Sequence, residues 1–273
     1  MAALPGVVRA EYLKVVSVRM WWVLMIVLLG YIGFTAGVLA LAFGGIGSIS
    51  GTTVPPIPEA ILPPLIYSVA SSIGYVFPVL FGTLATTTEF RHQTLTPTFL
   101  ATPRRGIVLA AKLAVTAFFG MVYALVALVA SVGVGAAILA ATGHDTGLGQ
   151  GDTWLMIARI VLAMVLWAVI GVGLGALIPN QVAAVVVVLA FTQFVEPILR
   201  LVSSLSDLTG SVGQFLPGAA SDALVGSSIF TFLGAAGGSV TSLDWWQGGL
   251  ILLGIAAAVT GLGLFTNWRK DVT

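Results

Sequence analysis

Long runs of apolar residues with almost no charge in them limit the folds open to this chain. Six stretches stand out: Met20 to Phe43, Leu65 to Thr87, Leu113 to Ala141, Thr153 to Ile178, Val182 to Leu201 and Trp245 to Phe265. Each holds at least 20 residues. A helix rising about 1.5 Å per residue crosses a hydrocarbon layer of about 30 Å in about 20 residues. Charged residues make up 8% of the 273, against about 25% in soluble domains. With 58% hydrophobic residues and a mean hydropathy of +1.09, the chain reads as an all-α polytopic membrane protein with six transmembrane helices. All of 1–273 reads as a single transmembrane domain.

The placement of charge carries more information than its sum. Arg9, Lys14 and Arg19 precede the first stretch, Arg91, Arg104, Arg105 and Lys112 lie between the second and third, and Arg269 and Lys270 follow the sixth. Nine of the 11 basic residues therefore gather on one face, which the positive-inside bias makes cytoplasmic. Both termini are expected there, in a multi-pass protein of a bacterial plasma (inner) membrane. The first apolar run lacks a small-residue cleavage site and reads as an uncleaved anchor. Without cysteine, no disulfide or thiolate site can form. A net charge of +1 says little about partners, and no nucleic-acid partner is expected.

Segments outside the stretches are also informative. Residues 1–19 are expected to hold an interfacial helix with Val8, Tyr12, Leu13, Val15 and Val16 on one arc and Glu11, Lys14 and Ser17 on another. The proline-rich stretch from Ser50 to Pro64 suits a stiff extended spacer. Residues 203–243, with "FLPGAASDALVGSSIFTFLGAAGG", are too apolar for an ordinary loop and too broken to span. They fit an outer re-entrant segment or, alternatively, two half-spans. Trp245 and Trp246 at one end of the last stretch and Trp268 at the other read as interfacial anchors. Gly171 and Gly175 have the i,i+4 spacing of close helix contact in lipid, and Pro78 can kink the second stretch.

Catalytic chemistry is sparse. No G-x-x-x-x-G-K-[ST] phosphate loop, H-E-x-x-H or G-x-S-x-G occurs, and His92 and His144 fall on opposite faces. No enzyme activity, bound cofactor or metal is expected of this chain. A charge at mid-bilayer costs about 2.5–3.5 kcal/mol even on lenient scales, so the few that occur need an account. Glu196 and Arg200 are i,i+4 neighbours and can pair, with Arg159 reaching outward. In a functional version, Arg159, Gln193, Glu196 and Arg200 face a wet outer vestibule.

The loop "TTTEFRHQTLTPTFLATPRRG", residues 86–106, is the most polar part of the chain. Its prolines, Pro97 and Pro103, leave room for a short helix from Thr88 to Leu95 with Glu89 in the first turn and Phe90 exposed beside it. "TEFRHQTLTPTFLATPRRGIVLAAKL" resembles the cytoplasmic loop of the type-2 ABC transporter permease family, in which an E-F-R-x-x-T-like segment is followed by A-T-P-R-R and a lysine opening the third span. The order of elements, from entry helix to short basic tail, is similar to that family over essentially the whole chain.

That resemblance implies a permease whose 86–106 loop forms a coupling helix on a separate ATPase subunit, with Glu89, Phe90, Arg91 and Thr94 as the docking contacts. It also implies two copies of the ATPase, which bind ATP and Mg, and a second permease chain, identical or homologous. The substrate path would run between the two permease chains, lined mostly by spans two and five, with Tyr75, Phe77, Phe81 and Gln193 as lining candidates and its outer mouth at Arg159, Glu196 and Arg200. Outward transport follows by the same implication, and the mostly apolar lining suggests a hydrophobic or amphipathic cargo. Two other readings stay open: a non-transporting assembly or regulatory protein whose basic loop binds membrane lipid, and an ion-coupled secondary carrier.

Overall fold

A computed structural model describes residues 4–45, 58–203, 210, 212–232 and 243–268. Every regular element among the described residues is helical. An entry helix, α1 (Leu4–Ser17), leads into α2 (Met20–Gly44), which ends in a π turn. Then come α3 (Leu62–Arg91), a short loop helix α4 (Leu95–Ala101), α5 (Arg105–Ala141), α6 (Gly151–Leu177) and α7 (Gln181–Ser203). A further short helix, α8 (Pro217–Val225), precedes α9 (Trp245–Trp268). Six of these, α2, α3, α5, α6, α7 and α9, are long and apolar enough to cross a membrane.

The six long helices alternate in direction. At one end Arg91 of α3 meets Gln181 of α7, Asn267 of α9 donates to the Leu177 carbonyl that closes α6, and Arg105 of α5 donates to the Trp268 carbonyl. At the other end His144 lies 3.0 Å from the Gly44 carbonyl, and the Tyr67 hydroxyl donates to the Thr146 carbonyl. The first end, which also carries α1 and α4, is the basic face.

Helix α6 is central, packing along α3, α5 and α9. Lipid supplies little hydrophobic drive between helices, so close backbone approach decides which ones associate. A β-carbon on Gly175 would stand 2.6 Å from the Thr83 carbonyl of α3, and one on Gly173 would stand 2.7 Å from the Thr260 nitrogen of α9. Gly171 abuts α3 in the same way, and the Thr83 hydroxyl bridges to its carbonyl at 3.1 Å. The i,i+4 pair Gly171/Gly175 therefore makes the contact its spacing predicts, while Gly173, two residues along, serves a second helix.

Helix α3 is interrupted at Ser68 and again over residues 73–75, before a continuous run from Val76 to Arg91. Pro78 sits in the first turn of that run, and its ring would clash with the carbonyl of Gly74 in a regular helix, so the expected kink falls just ahead of it.

Several expectations about the flanking parts change. Helix α1 turns Val7 and Glu11 inward, while Tyr12, Leu13 and Val16 are exposed, because Glu11 has a buried cationic partner on α5. Trp245 and Trp246 are half exposed, as interfacial anchors would be, but Trp268 is only 1% exposed and belongs to the interior. Of the 203–243 segment, α8 is described, starting at Pro217 and closing on the left-handed Gly226 (φ 87°). It packs on α9 and α6. Residues 204–209, 211 and 233–242 of that segment, residues 46–57, which take in the first part of the proline-rich stretch, and Arg269 and Lys270 lie outside the described residues.

Candidate functional site

The helix expected from Thr88 to Leu95 forms elsewhere. Helix α3 runs on to Arg91, the chain turns through His92–Thr94 with Gln93 in the left-handed region (φ 53°), and the loop helix occupies Leu95–Ala101. The reason is Pro97. Proline is tolerated in a first turn, where its missing N–H would be unpaired anyway, so Pro97 opens a helix instead of closing one. Pro103 follows the end of α4.

This shift buries the residue expected at the front of the docking surface. Glu89 is buried, and its Oε1 accepts from Lys14 of α1 at 2.8 Å and lies 3.2 Å from Lys112 of α5. Lys14 reaches Glu11 Oε1 at 2.6 Å and the Thr98 hydroxyl of α4 at 3.2 Å. Lys112 donates to Glu11 Oε2 at 2.7 Å and to the Ala85 carbonyl at 3.3 Å. Two carboxylates and two ammoniums thus form one network that joins α1, α3, α4 and α5. Neither charge type is left in excess, which makes burial tolerable. Burial pushes the Glu11 carboxyl up, but the Lys112 and Lys14 ammoniums outweigh it and hold the group below its ordinary 4.5. Burial likewise pulls Lys14 down, and the Glu89 and Glu11 carboxylates carry it above its ordinary 10.5.

An aromatic cluster holds the other side of α4. Trp268, at the end of α9, receives Phe90 and Phe99 edge-on with ring centroids 6.0 and 5.7 Å away. Its indole N–H donates to the Arg105 carbonyl at 3.1 Å, and the Arg105 guanidinium lies over the Phe99 ring at 4.9 Å. The loop helix is therefore clamped between an ion network and an aromatic cluster. Its outward side carries Thr96, Pro97 and Leu100, with Leu100 at 79% exposure.

Of the four residues expected to dock, Glu89 is buried and Phe90 half-buried against Trp268, while Arg91 and Thr94 are exposed. Arg91 and Phe90 border an open cleft of about 580 Å³ with Pro179, Asn180, Gln181 and Val182. Sequence reasoning missed Glu11, Lys14, Thr98, Lys112 and Trp268 as parts of this site. The i,i+3 spacing of Glu11 and Lys14 was the one local sign of it.

On the opposite face the expected Glu196–Arg200 pair forms at 3.2 Å. Asp222 of α8 joins it, 2.7 Å from Arg200, and accepts from Ser228 at 2.7 Å and Ser72 at 3.3 Å. Gln193 borders the same group, but Arg159 does not: its guanidinium lies over Trp245, 4.8 Å from the ring centre. Tyr75 also lies here, stacked on Trp167 at 4.3 Å. Phe77 packs near Tyr31, with ring centroids 6.1 Å apart. Phe81 has no exposed surface, with the rings of Phe119 and Tyr123 each 5.3 Å away.

Among the described residues no group of three His, Cys, Asp or Glu could hold a metal ion. No protein-family model matches the chain, and no curated protein matches it in sequence.

Proposed function

We propose that this chain is the membrane permease subunit of an ABC transporter, embedded in a bacterial plasma membrane with its basic face in the cytoplasm. The observation that carries this reading is the way α4 is held: Leu100 stands out at 79% exposure while Thr98 ties the helix to Lys14 of α1 and Phe99 ties it to Arg105 of α5 and Trp268 of α9. A free loop carrying a basic charge needs no such clamp. A lever needs one, because a displacement of α4 must reach the long helices before it is lost in local flexing.

In this reading α1 lies in the membrane interface, α4 is the coupling helix and α8 belongs to an outer re-entrant segment. The docking surface is Leu100, Pro97, Thr94 and Arg91, with Glu89 and Phe90 acting behind it. Burying Leu100 in a partner's cleft contributes about 1.5–3 kcal/mol. Two soluble ATPase subunits binding ATP and Mg supply the energy, a second permease chain completes the path, and a hydrophobic or amphipathic cargo moves outward. ATP closure of the partner pair shifts α4, and coupling is the difference in free energy between the two states that this shift favours.

The test is purification of the chain from its native membrane in mild detergent, followed by a search for a soluble Walker-motif ATPase that comes with it. Leu100→Asp and Arg91→Glu are expected to lose that partner while the chain keeps its thermal midpoint. Absence of any ATPase with the wild type across several detergents, or its full retention by Leu100→Asp, overturns the proposal.

A further inference from the structure

The cavity beside Glu196 is lined by three hydroxyls, those of Ser72, Tyr75 and Thr192, whose protons are already committed. It holds about 70 Å³ and is lined by Ser72, Tyr75, Thr192, Gln193, Glu196 and Arg200 among others. The Tyr75 hydroxyl donates to the Thr192 carbonyl at 3.3 Å, the Thr192 hydroxyl to the Val188 carbonyl at 2.8 Å, and the Ser72 hydroxyl to Asp222 at 3.3 Å. Each of these oxygens keeps lone pairs and has no second proton to offer. Glu196, 1% exposed, commits Oε1 to Arg200 and the Gly218 N–H, while its Oε2 is buried without a hydrogen-bond partner among the described residues.

Glu196 and the Arg200 guanidinium line this space, and Asp222 lies behind them on Arg200. Arg200 is engaged by Asp222 at 2.7 Å and lies over the Phe230 ring at 4.8 Å, its Nε being the one donor without a partner. Among the described residues two carboxyl groups share one guanidinium in a buried place, an arrangement that calls for a further cation or for a proton on one of them.

We propose that this cavity binds the ammonium head group of a primary amine, with the apolar tail leaving past Gln193. A primary ammonium brings three donors and one positive charge, which matches an unpartnered carboxylate oxygen with hydroxyl lone pairs around it. The volume corresponds to about two waters at about 30 Å³ each, enough for the head group but not for a bulky tail. Outside the cavity Gln193, Phe194 and Val195 are exposed, so a tail emerging there meets an apolar surface on α7. Calling such a molecule the cargo rests on the permease reading above. Binding itself does not.

The experiment uses the purified chain alone, without any ATPase, so its outcome is independent of partner docking. Hexylammonium chloride is titrated against intrinsic tryptophan fluorescence, with Trp167 stacked on Tyr75 as the reporter. 1-Hexanol serves as the uncharged match, and NaCl and KCl are run at equal ionic strength. A saturable change with hexylammonium, at least about tenfold weaker in Glu196→Gln, is the expected result. Equal response to hexanol, or a saturable response to sodium or potassium in place of the amine, overturns it. The wild-type comparison of amine with alcohol decides the matter even if Glu196→Gln fails to fold.

Discussion

Lys112 donates to Glu11 across 2.7 Å, and both side chains are buried, so the opening turns of α5 are fastened to an entry helix about 100 residues earlier in the chain. Glu89 shares the same ammonium at 3.2 Å and places the end of α3 in the same knot. Removing one member of a buried pair leaves its partner's charge uncompensated, at a cost of about 3–5 kcal/mol. Lys112→Met is therefore expected to lower the thermal midpoint in detergent more than Lys14→Met, because the Lys14 side chain is 36% exposed and its charge is screened by solvent. Adding Glu11→Gln to Lys112→Met should recover part of the loss. A double variant no better than the single one would argue against the pairing.

The network also predicts a pH profile. Glu11 titrates below its ordinary 4.5 in the folded chain, so its contribution is complete above the unfolded value and disappears as the pH falls through the folded one. Lys14 titrates above its ordinary 10.5, so its contribution is complete below that value and disappears as the pH rises through the folded one. The thermal midpoint should be level near neutrality and fall at both ends. In Glu11→Gln the acid limb should be shallower.

Trp268 closes the aromatic side of the clamp, and truncating a large buried aromatic costs about 3–5 kcal/mol. Trp268→Ala should lower the thermal midpoint and speed proteolysis or hydrogen exchange within 95–101, because Phe90 and Phe99 lose the ring they meet. Unchanged exchange in that segment would separate α4 from the end of α9.

Glycine substitutions should divide by contact and not by propensity. Gly171→Ala and Gly173→Ala each place a β-carbon against the backbone of a neighbouring helix and should destabilise, with overpacking of this kind costing about 1–3 kcal/mol. Gly254→Ala meets nothing within 4 Å and should be neutral or stabilising, since alanine is favoured over glycine in a helix by up to about 1 kcal/mol. Thermal midpoints of the three variants check this directly.

Sidedness can be read chemically because the chain has no cysteine of its own. Thr96→Cys and Gln150→Cys occupy exposed sites at opposite ends of the helices. An impermeant maleimide on intact cells should label Gln150→Cys, and Thr96→Cys only after the membrane is opened. Labelling of both from outside would remove the six-span topology.

The number and rough limits of the long helices were legible in sequence because burial in lipid demands continuous apolar runs, and such runs are local. Even there the ends moved: α5 begins at Arg105, ahead of the expected Leu113, because Lys112 is neutralised by two carboxylates that lie far away in sequence. The i,i+4 pairs Gly171/Gly175 and Glu196/Arg200 were legible for the same local reason. Glu89 was misplaced because a carboxylate between polar neighbours looks exposed until its cations are known.

By itself, then, the sequence determined an all-helical chain with six helices able to cross a membrane, since hydropathy and helical periodicity act over a few turns. Only the tertiary structure decided which charges are buried, that Trp268 turns inward, that Arg159 stands apart from Arg200, and that Asp222 completes the cluster at Glu196. Each of those depends on segments 22 or more residues apart meeting in space, and such a meeting is set by close helix packing and by the need to pair every buried charge.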